Sequence, residues 1–280
     1  MEIKVLFSED PAFVLKRAGE FLSSEPVLHN LILSILHARV AQSDPGRYWI
    51  ALHGEVSVGV VIQSPLEFPA TLTPMGPRVV VAIVDAIAEA RVTLPGVNGD
   101  AATAASFAGQ WSERCKSAAV PFQGTRLYEL LDLAEVPRVD GHSQQGDLRQ
   151  AGPGDRGLMI LWTRAFQDEI GESASDTELR VDRALAAGQI WVWDQKGETT
   201  SMAVSRELVQ GVVRLSGVYT PPEKRKRGYA AACVYTLSKQ LRERGHRCIL
   251  YTDLGNPTSN SIYRRIGYRA VAEALRYRFE

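Results

Sequence analysis

Apolar positions along the chain fall into two alternating rhythms, one near four residues and one of two, and together they predict an ordered series of helices and strands. Phe13 to Leu22 and Val27 to Ala41 read as helices. Tyr48 to Leu52 and Val56 to Gln63 read as a strand pair turning at His53-Gly54-Glu55. A short strand follows at Ala70 to Thr73. Arg78 to Arg91 is a helix with Val79, Ile83 and Ile87 on one stripe, Ala101 to Lys116 another, and Arg126 to Leu133 a strand.

The rhythm breaks at Val136 to Asp147, a polar stretch with Pro and Gly that reads as a linker or exposed crossover. Beyond it, Gly157 to Ile170 and Thr177 to Ala187 are helical. Gln189 to Gln195, Thr200 to Leu208 and Val212 to Tyr219 are successive strands. Gly228 to Arg244 repeats apolar residues at Tyr229, Cys233, Leu237 and Leu241, and Gly245 stops it. A strand at Cys248 to Thr252, a helix at Pro257 to Ile266 and a final strand or hairpin at Ala270 to Phe279 complete the chain. The expected class is α/β (α+β), with mixed, mostly antiparallel sheets flanked by helices. The expected domains are 1–136 and 147–280. Their element orders are alike enough to suggest tandem copies of one fold, although no residue-level repeat is visible.

Composition narrows the function classes. Lysines and arginines number 32, as do aspartates and glutamates, so no global field draws the chain to nucleic acid or an anionic membrane. Cys115, Cys233 and Cys248 are scattered without metal-ligand spacing, which fits a reducing compartment. The polar N-terminus is unlike a signal peptide, and no stretch reaches the length of a membrane span. These features predict a soluble, cytoplasmic protein with no metal, no nucleic-acid partner and no membrane. A homodimer stays open.

One local feature stands out on this neutral background. Arg225-Lys226-Arg227-Gly228-Tyr229-Ala230 opens a helix directly after the strand Val212 to Tyr219. A first helical turn presents unpaired N–H groups at the positive end of the macrodipole, so this strand, turn and helix can bind phosphate. Gly228 allows close backbone approach, and the basic residues add charge. A solvated basic face is the plainer reading of such a run. A second block runs from Asn256 to Tyr268, where Asn256 suits an N-cap, Pro257 the first helical position, and Gly267 a helix stop.

The first block resembles the acetyl-CoA motif of the GNAT superfamily of N-acetyltransferases, whose pattern Gln/Arg-x-x-Gly-x-Gly/Ala is met by Arg225, Gly228 and Ala230. The second resembles the region that follows there, matched by Asn256, Ser259, Tyr263 and Gly267-Tyr268. The likeness covers Leu148 to Glu280. It implies a GNAT-like acyl-CoA N-acyltransferase fold, with acetyl-CoA as co-substrate and a small-molecule or peptide amine as acceptor. Val218, Tyr219 and Thr220 would offer free backbone groups to the pantetheine arm. Backbone N–H groups over Lys226, Arg227, Gly228, Tyr229, Ala230 and Ala231 would hold the pyrophosphate, with Arg225 pairing it. Asn256, Ser259 and Tyr263 would face the cofactor, and Tyr263 would protonate the departing thiolate.

The first half has Pro74-Met-Gly-Pro-Arg78 where the phosphate turn should fall, so a copy there would lack a cofactor site. A general base is not evident, because Val212 to Tyr219 holds no carboxylate; Glu169, Glu172, Asp253 and the C-terminal carboxylate of Glu280 are candidates. Trp191 and Trp193 share a strand face and read as core or interface residues before a cage for a cation. The rival readings are transfer of a longer acyl or an aminoacyl group, and a non-catalytic CoA-binding sensor or scaffold.

Overall fold

The structure, a computed structural model, describes residues 2–42, 44–134, 146–171 and 176–280. The body of the expected linker, 136–145, and the candidate base Glu172 lie outside these residues. The chain forms two compact units, neither contiguous in sequence. One comprises 1–127, 252–255 and 270–280; the other comprises 128–251 and 256–269.

The first half runs β1 (Ile3–Ser8), α1 (Pro11–Ser24), α2 (Asn30–Ala41), β2 (Arg47–His53), β3 (Val56–Gln63), β4 (Ala70–Leu72), α3 (Pro77–Glu89), β5 (Gly96–Asp100), α4 (Ala101–Cys115) and β6 (Ala119–Leu130). The second half repeats that order: β7 (Asp147–Gln150), α5 (Arg156–Ile170), α6 (Thr177–Ala186), β8 (Ile190–Gln195), β9 (Glu198–Ser205), β10 (Val212–Tyr219), α7 (Tyr229–Glu243), β11 (Arg247–Asp253), α8 (Pro257–Ile266) and β12 (Tyr268–Phe279). Pairing repeats as well. β1 to β4 are antiparallel neighbours and β4 runs parallel to β5. Likewise β7 to β10 are antiparallel neighbours and β10 runs parallel to β11.

The last strand of each half spans the division between units. β12 pairs antiparallel with β5, Ala274 opposite Asp100 through Arg278 opposite Gly96, so the chain's end completes the first unit's sheet. Conversely, Tyr128 and Leu130 at the end of β6 are buried in the second unit's core with Val213, Leu215, Leu237 and Leu250.

The helices form where the stripes place them. α3 buries Val79, Val80, Ile83, Val84 and Ile87 against Trp49, Leu72 and Val97. α7 buries Ala232, Cys233, Leu237 and Leu241. Leu237 is fully enclosed, a burial worth about 1.5–3 kcal/mol. Local signals set the ends: Asp10 accepts from Ala12 N at 2.8 Å to start α1, and Asp100 accepts from Thr103 N at 3.0 Å to start α4.

Three strands escaped the sequence reading. β1 and β7 are short, and β5 is Gly-Val-Asn-Gly-Asp, a composition poor in strand formers. Two neighbours require those glycines: a Cβ on Gly96 would meet Tyr277 O at 2.1 Å, and one on Gly99 would meet Leu72 Cβ at 2.9 Å. β6 begins at Ala119, ahead of the expected Arg126, and β12 is one strand rather than a hairpin.

Candidate active site

The chemistry-bearing blocks lie on the second unit, around the parallel pair β10 and β11. Their register runs from Val212 opposite Arg247 to Leu215 opposite Leu250 and stops there, while β10 continues to Tyr219 and β11 to Asp253. The cause sits in β10. Its pairing to β9 slips between Ser216 and Tyr219, where Gly217 adopts a left-handed φ of +56°. An extra residue there bends the strand and turns its end away from its parallel neighbour. Beyond Leu215, the edge facing β11 is therefore open to an extended ligand.

That open end leads into the basic turn. Pro222–Lys224 forms a single 3₁₀ turn, Lys226 takes a φ of +62°, and Gly228 takes +81° as the N-cap of α7. No side chain caps this helix, and its first intrahelical bond runs from Ala232 N to Gly228 O at 3.0 Å. The N–H groups of Tyr229, Ala230 and Ala231 therefore precede the hydrogen-bonded ladder. They form, with the dipole, a cradle for an anion.

The four basic side chains divide into two pairs. Lys224 Nζ donates to Thr199 O at 2.8 Å and pairs Glu198 at 2.7 Å. Arg225 donates from Nε to Thr220 O at 2.8 Å and from Nη2 to Glu169 at 2.5 Å, its guanidinium 5.6 Å from the centroid of the Tyr219 ring. Arg225 therefore braces the loop from behind. Lys226 and Arg227 are exposed beside the cradle. Tyr229 is buried, with its hydroxyl donating to Gln195 Oε1.

α8 supplies the remaining residues. Asn256 caps it, its Oδ1 accepting from Ser259 N at 3.0 Å, with Pro257 at the first position. Tyr263 is 7% exposed and lies edge-on to Tyr268, ring centroids 6.1 Å apart. Burial, reinforced by the Cys233 thiol beside it, pushes the Tyr263 phenol well above its ordinary range. It therefore keeps its proton at neutral pH. Gly267 closes the helix with φ +114°, and a Cβ there would meet Asp132 O at 1.7 Å.

Val218 is half-buried on the open segment, whereas Tyr219 turns to the other core, 6.0 Å from Trp162. Ser201 Oγ donates to Tyr219 O at 3.0 Å and lies 2.9 Å from Thr220 Oγ1, so these two residues anchor the strand's end. Among the candidate bases, Glu169 is held by Arg225. Asp253 accepts from Gly255 N at 2.6 Å and Gln123 Nε2 at 3.3 Å, and like Glu280 it belongs to the first unit. Trp191 and Trp193 are core residues opposite Val192.

Two features were missed in sequence. Tyr128 donates to Asn260 Oδ1 at 3.0 Å, locking α8 to the end of β6, and no local pattern signals a partner 132 positions away. Arg214, within the apolar run of β10, has a buried Nε with no hydrogen-bond partner. A cation interrupting a central strand was the available signal. No metal-binding cluster occurs among the described residues, and no helix there is long and apolar enough to cross a membrane.

Comparison with known proteins agrees with this geometry. Residues 195–277 match the family model described as FR47-like protein. No curated protein matches the chain. Among solved structures, a GNAT-family acetyltransferase from Colwellia psychrerythraea is 12% identical, with 100% of both chains covered and a TM-score of 0.61. A GCN5-related N-acetyltransferase from Sphaerobacter thermophilus is 14% identical, covering 98% of this chain and 95% of its own, with a TM-score of 0.62. A Drosophila protein of unstated activity is 13% identical over 99% and 98%, again at 0.62. At these identities the likeness fixes the fold, and it is that of the GNAT acetyltransferases across the whole chain.

Proposed function

We propose that this chain of GNAT fold transfers an acetyl group from acetyl-CoA to a primary amine, with the cofactor held on the second unit. One observation carries the reading: the β10–β11 pairing ends at Leu215 and Leu250, and the strand it frees leads into an uncapped helix with Gly228 in the left-handed region. An extended arm with peptide-like amides fits the first feature by strand addition, and a pyrophosphate fits the second. Coenzyme A combines both. Tyr229, Ala230 and Ala231 would hold the pyrophosphate through backbone N–H groups, with Lys226 and Arg227 at its outer side.

The acetyl thioester would then lie near the bulge at Gly217. The amine nitrogen attacks the thioester carbon, and the carbonyl oxygen takes the charge of the tetrahedral intermediate, facing backbone N–H donors of the freed strand. The carbon–sulfur bond breaks. Tyr263 gives its proton to the leaving thiolate and is reprotonated as the nitrogen releases its own proton to solvent. Holding amine and thioester together supplies much of the acceleration. The three unpaired cysteines fit a reducing, cytoplasmic setting.

Release of free CoA thiol from acetyl-CoA across a panel of primary amines tests the reading. Amine-dependent release supports it. Tight CoA binding with no release for any amine would leave a CoA-binding scaffold, and release only from longer acyl-CoA donors would move the donor class.

A further inference from the structure

The sheet face opposite α7 carries a cation with no counterion among the described residues. On β10, Val213 and Leu215 point into the core beneath α7, so Arg214 and Ser216 occupy the other face. Arg214 is half-buried, its Nε is sealed from solvent and donates to no acceptor, and no described carboxylate pairs the guanidinium. Burial pulls its pKa down from the usual arginine range, and the Tyr251 phenol on β11 only partly offsets this. Directly across, one residue past the end of β9, stands a second arginine: Arg206 N donates to Arg214 O at 2.9 Å, and Arg206 Nε donates to Ser216 Oγ at 2.9 Å. The carboxylate of Glu129, in the same unit, is taken by Arg247 at 2.7 Å.

A guanidinium Nε–H sealed from water without an acceptor is costly. An anion at Arg214 removes that cost, and the planar guanidinium fork suits a carboxylate. Arg214 also stands three residues before Gly217, about 10 Å along the strand at ~3.3 Å per residue. That interval is spanned by an arginine side chain and a small amino acid.

We propose that Arg214, with Arg206 beside it, receives the carboxylate of the acceptor, so that the preferred substrate is an amine that carries a carboxylate. The inference rests on the transferase reading above and adds the acceptor's class. Arg214 is then a specificity-determining residue.

The test has two arms, both on the full chain. In the first, the Nε–Hε resonance of Arg214 is identified by its loss in Arg214→Gln and followed by NMR in CoA-loaded protein. Glycine and β-alanine are expected to shift it saturably, and glycinamide is not. In the second, thiol release is compared for glycine, β-alanine and 4-aminobutyrate against their amides. At least one acid should exceed its amide tenfold or more in kcat/KM. Arg214→Gln should bring that acid down to the level of the amide through KM, and Arg214→Lys should recover part of the difference. Because Arg214→Gln removes a sealed and unpartnered Nε–H, it should melt no lower than wild type, which excludes misfolding as the cause.

Amides that match their acids would overturn the inference, as would an acid preference surviving in Arg214→Gln. A 2-aminoethyl phosphate that outpaces every acid would overturn the carboxylate assignment. If no amine releases thiol, the transferase reading fails, and the NMR arm still decides: a shift with acids alone sustains the anion site, and no shift removes it.

Discussion

In each half a strand hands over to a helix beside a parallel neighbour, and the two junctions behave oppositely. In the first, β4 pairs with β5 to its last residue, Leu72 opposite Gly99. The short turn 73–76 is stitched down. Thr73 Oγ1 accepts from Val60 N at 2.9 Å, Met75 N donates to Thr103 Oγ1 at 3.1 Å, and Thr103 Oγ1 donates to Asp100 at 3.0 Å. α3 then opens with Pro77, which has no N–H to offer. In the second, β10 parts from β11 after Leu215, the connection 220–228 is longer, and α7 opens on N–H groups behind a left-handed glycine. A common element order thus yields one closed and one open strand pair. Bulge, loop length and the first helical residue decide which.

The largest expected effect comes from filling the open junction. Gly228→Asp should weaken CoA binding by at least about 100-fold by calorimetry, because it sets a negative charge against the pyrophosphate. Gly228→Asn is the matched control, since Asn and Asp both tolerate the left-handed region better than other residues. Its loss should stay within about tenfold, in line with roughly 1–2 kcal/mol of backbone strain. Equal losses in the two variants would mean that the turn is only strained and holds no anion.

Tyr263→Phe should come next. The ring keeps its edge-on packing on Tyr268 and loses only the proton. We expect kcat for thiol release to fall about 100-fold, within the range for general acids, and CoA affinity to hold within about threefold. An unchanged kcat would return Tyr263 to the core.

What the sequence revealed follows the range of the forces involved. β10 and α8 fall on their expected bounds, because an apolar run, an Asn-Pro start and a glycine stop are local signals. The cradle at Gly228 was legible for the same reason. The role of Arg225 was only half legible: its charge is plain, but its capture by Glu169, 56 positions away, is a tertiary event. β5 was invisible because its glycines answer to Leu72 and Tyr277, not to strand propensity. Arg214 was passed over inside an apolar run, since only the assembled sheet shows that its Nε is unpartnered.

The closed junction makes a smaller prediction. Thr103→Val removes the acceptor of Met75 N and the donor to Asp100 while keeping the side chain's shape. Urea unfolding should show a loss of about 1–3 kcal/mol, the usual consequence of leaving a buried donor unsatisfied. CoA affinity measured on the same variant should not change. A parallel loss of affinity would show that the first half contributes to the cofactor site, and the contrast between the two junctions would no longer assign binding to one of them.

The smallest effect separates the two halves by acid. At the start of the second half, Arg149 joins β7 to the turn before α5, pairing Asp155 at 2.7 Å and Asp194 at 2.7 Å. The corresponding start of the first half has Asp10 capping α1 through Ala12 N. Arg149 holds the Asp155 carboxyl below the usual carboxylate range, and the N–H of Gly152, 2.7 Å away, adds to this. A carboxyl depressed in the folded state contributes its full stability above its unfolded pKa and loses it as pH falls through the folded value. Asp155→Asn should therefore be less stable than wild type by about 0.5–1 kcal/mol at pH 7, as expected for a partly exposed ion pair. The gap should close toward about pH 2, where wild-type Asp155 is itself protonated. Hydrogen exchange in wild type should show α5 loosening as the pH is lowered through that window; α5 exchange that follows Asp155→Asn at every pH would mean that the Arg149 pairing does not anchor it.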